Sequence, residues 1–142
     1  MDKALNYLGI MRKAHACAVG ETDCGASCRG GEAKVLLLAQ DASSNAISRA
    51  KGFVYGRNIP LVVLPYEKFM LAGRLGKGST SMIAVEDLGL AVAFMRALSS
   101  THEGYEEVTN RLIEKQVIAA KRKAEKEAHE RNKKFGKRRK KA

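Results

Sequence analysis

The sequence has only three cysteines, two prolines and no extended apolar run, and each scarcity closes off a class of protein. An odd number of cysteines leaves at least one thiol outside any intramolecular pairing, so a secreted scaffold stapled by disulfides is excluded. No apolar stretch approaches the ~18 residues needed to cross a bilayer, and Val35 to Ala39 is only strand-sized. Near its start the chain carries an acid, Asp2, and lacks the apolar run of about seven residues that marks a secretory signal. Reduced thiols and a cytoplasmic location are therefore expected. With two prolines, a collagen-like chain is excluded as well.

What is present suits one ordinary domain. The 142 residues are 45% hydrophobic and 29% charged, enough to bury roughly two-thirds of the unfolded surface. The net charge of +11 is unevenly placed. Residues 1–110 carry 12 basic and 11 acidic side chains, whereas residues 111–142 carry 14 basic and 4 acidic ones. The end of the chain concentrates Lys133, Lys134, Lys137, Arg138, Arg139, Lys140 and Lys141. Such a run repels itself and buries too little apolar surface to fold alone. A polyanion is its natural partner, because each neutralised phosphate releases condensed counterions. A purely solvated tail is the plainer alternative. An anionic membrane is a weaker one, with Phe135 the only apolar anchor.

Hydrophobic periodicity and turn residues predict alternating elements. A helix over 2–14 starts at Asp2 and aligns Leu5 with Leu8. Ala16 to Val19 is a short apolar stretch closed by Gly20, and a second helix runs from Glu21 to Arg29. Lys34 to Gln40 reads as a strand buried on both faces. A helix follows over 44–55, then a strand over 59–65, a helix over 67–75 and a turn from Gly76 to Thr80. Ser81 to Val85 is a further strand and Asp87 to Leu98 an apolar helix. Strands separated by helical segments indicate an α/β domain with helices on both faces of the sheet. Its end is expected near Ser99. Ser100-Thr101-His102-Glu103 has the form of a capping box and predicts a helix over 100–134, with Val108, Leu112, Ile113 and Val117 packed on the domain. That helix should fray by about Lys133, leaving 135–142 as a disordered basic tail.

The strongest local motif is Val19-Gly20-Glu21-Thr22-Asp23 ahead of the run Lys34 to Ser43. Gly20 lets a ligand approach the backbone, and the amides opening the helix after it can accept a phosphate or meet a base edge. Plain helix capping explains the same residues. Leu8-Gly9-Ile10, Arg12-Lys13-Ala14, Gly20-Glu21 and Ala33 to Ser43 also form a longer pattern, continued by Asn58-Ile59-Pro60, Leu75-Gly76-Lys77 and Ala84-Val85-Glu86-Asp87. In order and spacing, residues 4–98 resemble the kink-turn-binding ribosomal-protein family, in particular its small bacterial YlxQ-type branch. The resemblance implies a three-layer α/β/α sandwich around a small mixed sheet, and recognition of kinked RNA.

The family signature Gly-x-Asn-Glu-x-x-Lys falls on Gly20, Glu21, Thr22, Asp23 and Ala26. Thr22 stands for the Asn, Asp23 for the Glu and Ala26 for the Lys. Ser43 falls where some members carry an acid, and Ile47 falls at an apolar contact. Lys77, Gly78, Ser79 and Thr80 occupy the second RNA-contacting loop. Thr22 offers one hydroxyl where Asn both donates and accepts, and Ala26 removes a cation. Each base contact is worth ~1–3 kcal/mol, so these departures favour a bulge or loop of structured RNA as the target over a strict kink-turn.

Cys24 and Cys28 lie four apart on the second helix, with Cys17 and His15 upstream. Thiols at that spacing can share a metal, and a redox role is a further alternative. The resemblance places apolar residues at both helical positions, which makes them small core hydrophobes, and no metal or cofactor is expected. His15 is expected near the RNA face. No catalytic triad, phosphate loop or dinucleotide fingerprint is present. Glu86 and Asp87 follow a strand, and Asp87 reads as the cap of the next helix.

The expectation is a non-catalytic, monomeric RNA-binding protein of ribosome-associated or ribosome-assembly type. Structured RNA, ribosomal RNA in particular, is the partner, with ribosomal or assembly proteins beside it and no membrane. The alternatives are a protein-interaction module with a non-specific polyanion-binding tail, and the recognition domain of an RNA-modifying system.

Overall fold

Asp2 accepts a hydrogen bond from the Ala4 amide at 3.0 Å and so opens α1 (Lys3–Lys13), as its short acidic side chain predicts. The structure is a computed structural model describing residues 2–76 and 80–141, with side chains through Lys133. After α1 come β1 (Cys17–Val19), α2 (Glu21–Arg29), β2 (Val35–Leu38), α3 (Ser44–Val54) and β3 (Leu61–Val63). They are followed by α4 (Lys68–Leu75), β4 (Met82–Val85), α5 (Leu88–Thr101) and α6 (Glu106–Lys141).

The four strands form one mixed sheet in the order β1-β4-β2-β3. β2 and β3 run parallel, with Leu36 opposite Leu61, whereas β4 runs antiparallel to both β1 and β2. Every residue of the central strands β2 and β4 is buried. Their continuous apolar runs allow this, because helices cover both faces of the sheet. Leu36, Leu38, Met82 and Ala84 pack with Cys24, Cys28 and Ala50 under α2 and α3. The alternation of the pleat sends Val35, Leu37, Ile83 and Val85 to the other face, where α1 packs against α4 and α5. The result is a three-layer α/β/α sandwich. No helix among the described residues is long and apolar enough to cross a membrane.

The end of the domain differs from expectation. α5 continues through Ser100 and Thr101, whose hydroxyls donate to carbonyls three or four residues back, at Ala97 and Leu98, instead of capping a new helix. Ser100-x-x-Glu103 therefore caps nothing, and α6 begins at Glu106 after Gly104 at φ +93°. Its first turns belong to the domain: Leu112 has no exposed surface, and the buried Thr109 hydroxyl lies 2.7 Å from Ser99 Oγ. The compact unit thus spans residues 1–112.

The rest of α6, from Ile113 to Lys141, belongs to a second unit. Val117, expected to pack, is 62% exposed there. The helix passes Lys133, where the charged pattern predicts its end, because the stretch is rich in Ala, Lys, Arg and Glu, all strong helix formers. The tail expected to be disordered over 135–142 is instead helical as far as Lys141.

Candidate functional site

Gly20 adopts φ +93° and ψ 160°, a conformation nearly confined to glycine. Its amide donates to the Met82 carbonyl at 3.0 Å, which pins the β1–α2 turn to the start of β4. The Ala39 amide donates to the Ser81 carbonyl at 2.8 Å and holds the β2–α3 connection to that same end of the sheet. The N-termini of α2 and α3 therefore open side by side. Gly20 supplies no side-chain cap, so the first amides of α2 keep their positive end toward solvent. α3 differs: Ser43 accepts from the Ala46 amide at 3.1 Å and closes its own helix. An ion pair of 2.5 Å between Glu21 and Arg49 ties the first turn of α2 to α3.

Thr22, Asp23 and Ala26 are exposed within about 100° of one another on α2, as the signature requires, on the ridge between two grooves. Thr22 borders a groove of about 380 Å³ toward α3, together with Arg29, Arg49 and Phe53. Asp23 and Ala26 border a larger groove of about 480 Å³ toward β1 and the end of α1, together with Arg12, His15 and Glu86. Ile47 is half-buried and packs against the apolar cluster under α2 and α3, so much of its side chain is already engaged. Lys77, Gly78 and Ser79 lie outside the described residues.

Thr80 corrects the sequence reading. It is 3% exposed, and its hydroxyl is buried with no hydrogen-bond partner among the described residues. It sits two residues before β4, every residue of which is buried. Lys133 is exposed, while the side chains of Lys134, Lys137, Arg138, Arg139, Lys140 and Lys141 lie outside the described residues.

The sequence reading missed the arginines. Arg49 and Arg29 flank Thr22, and Arg12 lies over the left-handed Gly76, where an added Cβ would come within 2.6 Å of its guanidinium. The available signal was helical spacing: Arg49 is four residues, about one turn, beyond Asn45 on the exposed face of α3. His15 holds φ +53° just past α1 and borders the Asp23 groove.

The remaining reactive groups are committed to structure. Cys24 and Cys28 have no exposed surface, and the Cys24 thiol donates to the Ala18 carbonyl at 3.4 Å. Burial first, and then the neighbouring Cys28, push the Cys24 thiol up to about 12, so it stays protonated at neutral pH. The half-buried Cys17 is raised by burial and then by Glu86. Glu86 accepts from the buried Ser27 hydroxyl at 2.7 Å, and Asp87 caps α5 through the Leu90 amide at 3.1 Å.

No protein-family pattern and no curated protein matches the chain at the sequence level. Solved structures do share its fold. A protein of unknown function from Bacillus halodurans C is similar with a TM-score of 0.64 at 22% identity, over 70% of this chain and 99% of that one. A Giardia lamblia 15.5kD RNA binding protein is similar with a TM-score of 0.54 at 15% identity, over 78% of this chain and 82% of that one.

Proposed function

We propose that the chain binds structured RNA through the open first turn of α2 and acts by recognition, without catalysis. The observation that carries this reading is Gly20. A positive-φ glycine with open space around it leaves an uncapped, positively polarised helix start beside the exposed Thr22. The fold is shared with a protein described as RNA binding, which supports RNA over other anions. Thr22, Asp23 and Ala26 lack the amide and the cation of the kink-turn signature, so a bulged or kinked element is the target and base specificity is relaxed. A ribosomal or ribosome-assembly RNA in the cytoplasm fits the YlxQ-type pattern of residues 4–98. The basic stretch beyond residue 112 adds salt-dependent affinity.

Thr22→Glu tests this reading. Thr22 is exposed, and an acid in the first turn of a helix is tolerated, so the variant folds. The new carboxylate opposes any phosphate at the helix start. The full chain carrying it loses its preference for a bulged hairpin RNA over a plain duplex in competitive anisotropy titrations. An unchanged preference removes the α2 turn as the reader.

A further inference from the structure

The groove beside Thr22 runs between α2 and α3, with Gly25 and Phe53 at its floor and Arg29 and Arg49 at its sides. Gly25 has no room for a side chain: a Cβ there would lie 2.9 Å from the Phe53 ring and 3.1 Å from Arg29 Nη1. Arg57 extends the same surface, donating from Nη1 to the Phe53 carbonyl at 3.2 Å. Arg57 and Arg29 both lie near enough to Cys28 for their charge to oppose the rise that burial imposes on its thiol. The groove's lining holds one acid, Glu21, whose ion pair with Arg49 leaves Arg29 in surplus, and Arg57 adds a further positive charge beside Phe53.

The groove on the other side of α2 is different. There Arg12 and His15 stand among Asp23, Glu32 and Glu86, a mixture that does not favour a polyanion. Of these two grooves beside α2, the one toward α3 is therefore the more favourable for an anionic chain. From Thr22 to Arg29 the helix rises about 10 Å, too far for a single small anion but suited to successive phosphates. The arginine fork matches phosphate oxygens in pairs, and an aromatic floor accepts a ribose or base face.

We infer that Arg49, Arg29 and Arg57 form a phosphate track for the RNA strand leaving the first turn of α2, with Phe53 beneath its sugar or base. This rests on the RNA-binding reading above and adds the direction in which the strand runs.

The test uses the full chain and a hairpin RNA with an asymmetric internal bulge, titrated over a range of salt concentrations. The double variant Arg29→Gln with Arg57→Gln changes two exposed side chains, and circular dichroism confirms an unaltered fold. Each lost phosphate contact flattens the slope of log K against log salt by roughly 0.7–0.9, so the double variant loses more than one unit of slope. Its affinity falls several-fold. Arg29→Lys with Arg57→Lys restores most of the slope, because charge and not packing carries the effect. A glutamine variant with wild-type slope and affinity overturns the track, and so do lysines that fail to restore it. If Thr22→Glu still abolishes the bulge preference in that case, the RNA-binding reading stands without the track. If neither Thr22→Glu nor the glutamine variant alters binding, the reading falls and takes the track with it.

Discussion

A Cβ on Gly20 would meet nothing within 4 Å, yet its φ of +93° makes any side chain costly. Gly20→Ala should therefore lose ~1–3 kcal/mol through backbone torsion alone, read as a lower urea midpoint at unchanged slope. A loss below ~0.5 kcal/mol would mean that the turn relaxes and the helix start is not held open. Single residues also bear on stability at alkaline pH. Burial, followed by its hydrogen bond to Asp2, raises the Tyr66 hydroxyl above its ordinary range, and Cys24 is raised to about 12. In the unfolded chain these groups release their protons near 8.5 and 10, whereas the folded chain retains them. Between about pH 9 and 12 the unfolded state thus binds fewer protons, and stability falls as pH rises. Tyr66→Phe removes one titrating group, so its unfolding midpoint declines less steeply over that interval than that of the wild type. A parallel decline would assign the alkaline loss elsewhere. At this scale the sequence was an uneven guide. Asp2, Ser43 and Asp87 were legible as caps, because capping depends on neighbours two or three positions away. Thr80 was not, because its burial comes from tertiary packing beside β4, which the polar Lys77-Gly78-Ser79 sequence before it does not signal.

The elements show the same division between local and distant causes. α2 begins and ends where Gly20 and Gly30 punctuate it, and both bounds follow from the sequence. The α5–α6 junction does not, because Ser100 to Glu103 has the residues of a helix start while its first two hydroxyls bond backward into α5. The true junction is held by tertiary contacts. The Tyr105 hydroxyl donates to the Val63 carbonyl at 2.7 Å on the edge strand β3, and the Thr109 hydroxyl lies 2.7 Å from the Tyr105 carbonyl. Thr109→Val keeps the shape but leaves Ser99 without its partner, a cost of ~1–2 kcal/mol in thermal or urea unfolding. Truncation gives a larger effect. A chain ending at residue 112 keeps the melting temperature of the whole domain, whereas one ending at residue 100 loses the burial of Leu112, worth ~2–5 kcal/mol, and melts at least ~10 °C lower. Equal melting temperatures would return the boundary to Ser99.

Over the whole molecule, two units divide the charge. Residues 113–142 carry 13 basic and 4 acidic side chains, while residues 1–112 carry 13 basic and 11 acidic ones. This asymmetry was legible from composition alone, whereas the arginine row of the compact unit was not, because its members come from two helices and a loop that only the fold brings together. Two kinds of binding should follow, and salt separates them. Counterion release scales with the number of neutralised phosphates, so the basic stretch dominates the slope of log K against log salt. On the reading proposed above, shape selectivity belongs to the open turn of α2. Residues 1–112 alone should then bind a bulged hairpin RNA more weakly and with a markedly shallower salt slope, yet retain the preference for it over a plain duplex. The full chain should show a steep slope and the same preference, most visible at high salt where the tail contributes least. Anisotropy titrations of both chains on both RNAs between about 50 and 400 mM salt measure all four quantities. Residues 1–112 binding both RNAs equally, or not at all, would leave the tail as the only contact and the helix start at Gly20 as ordinary architecture.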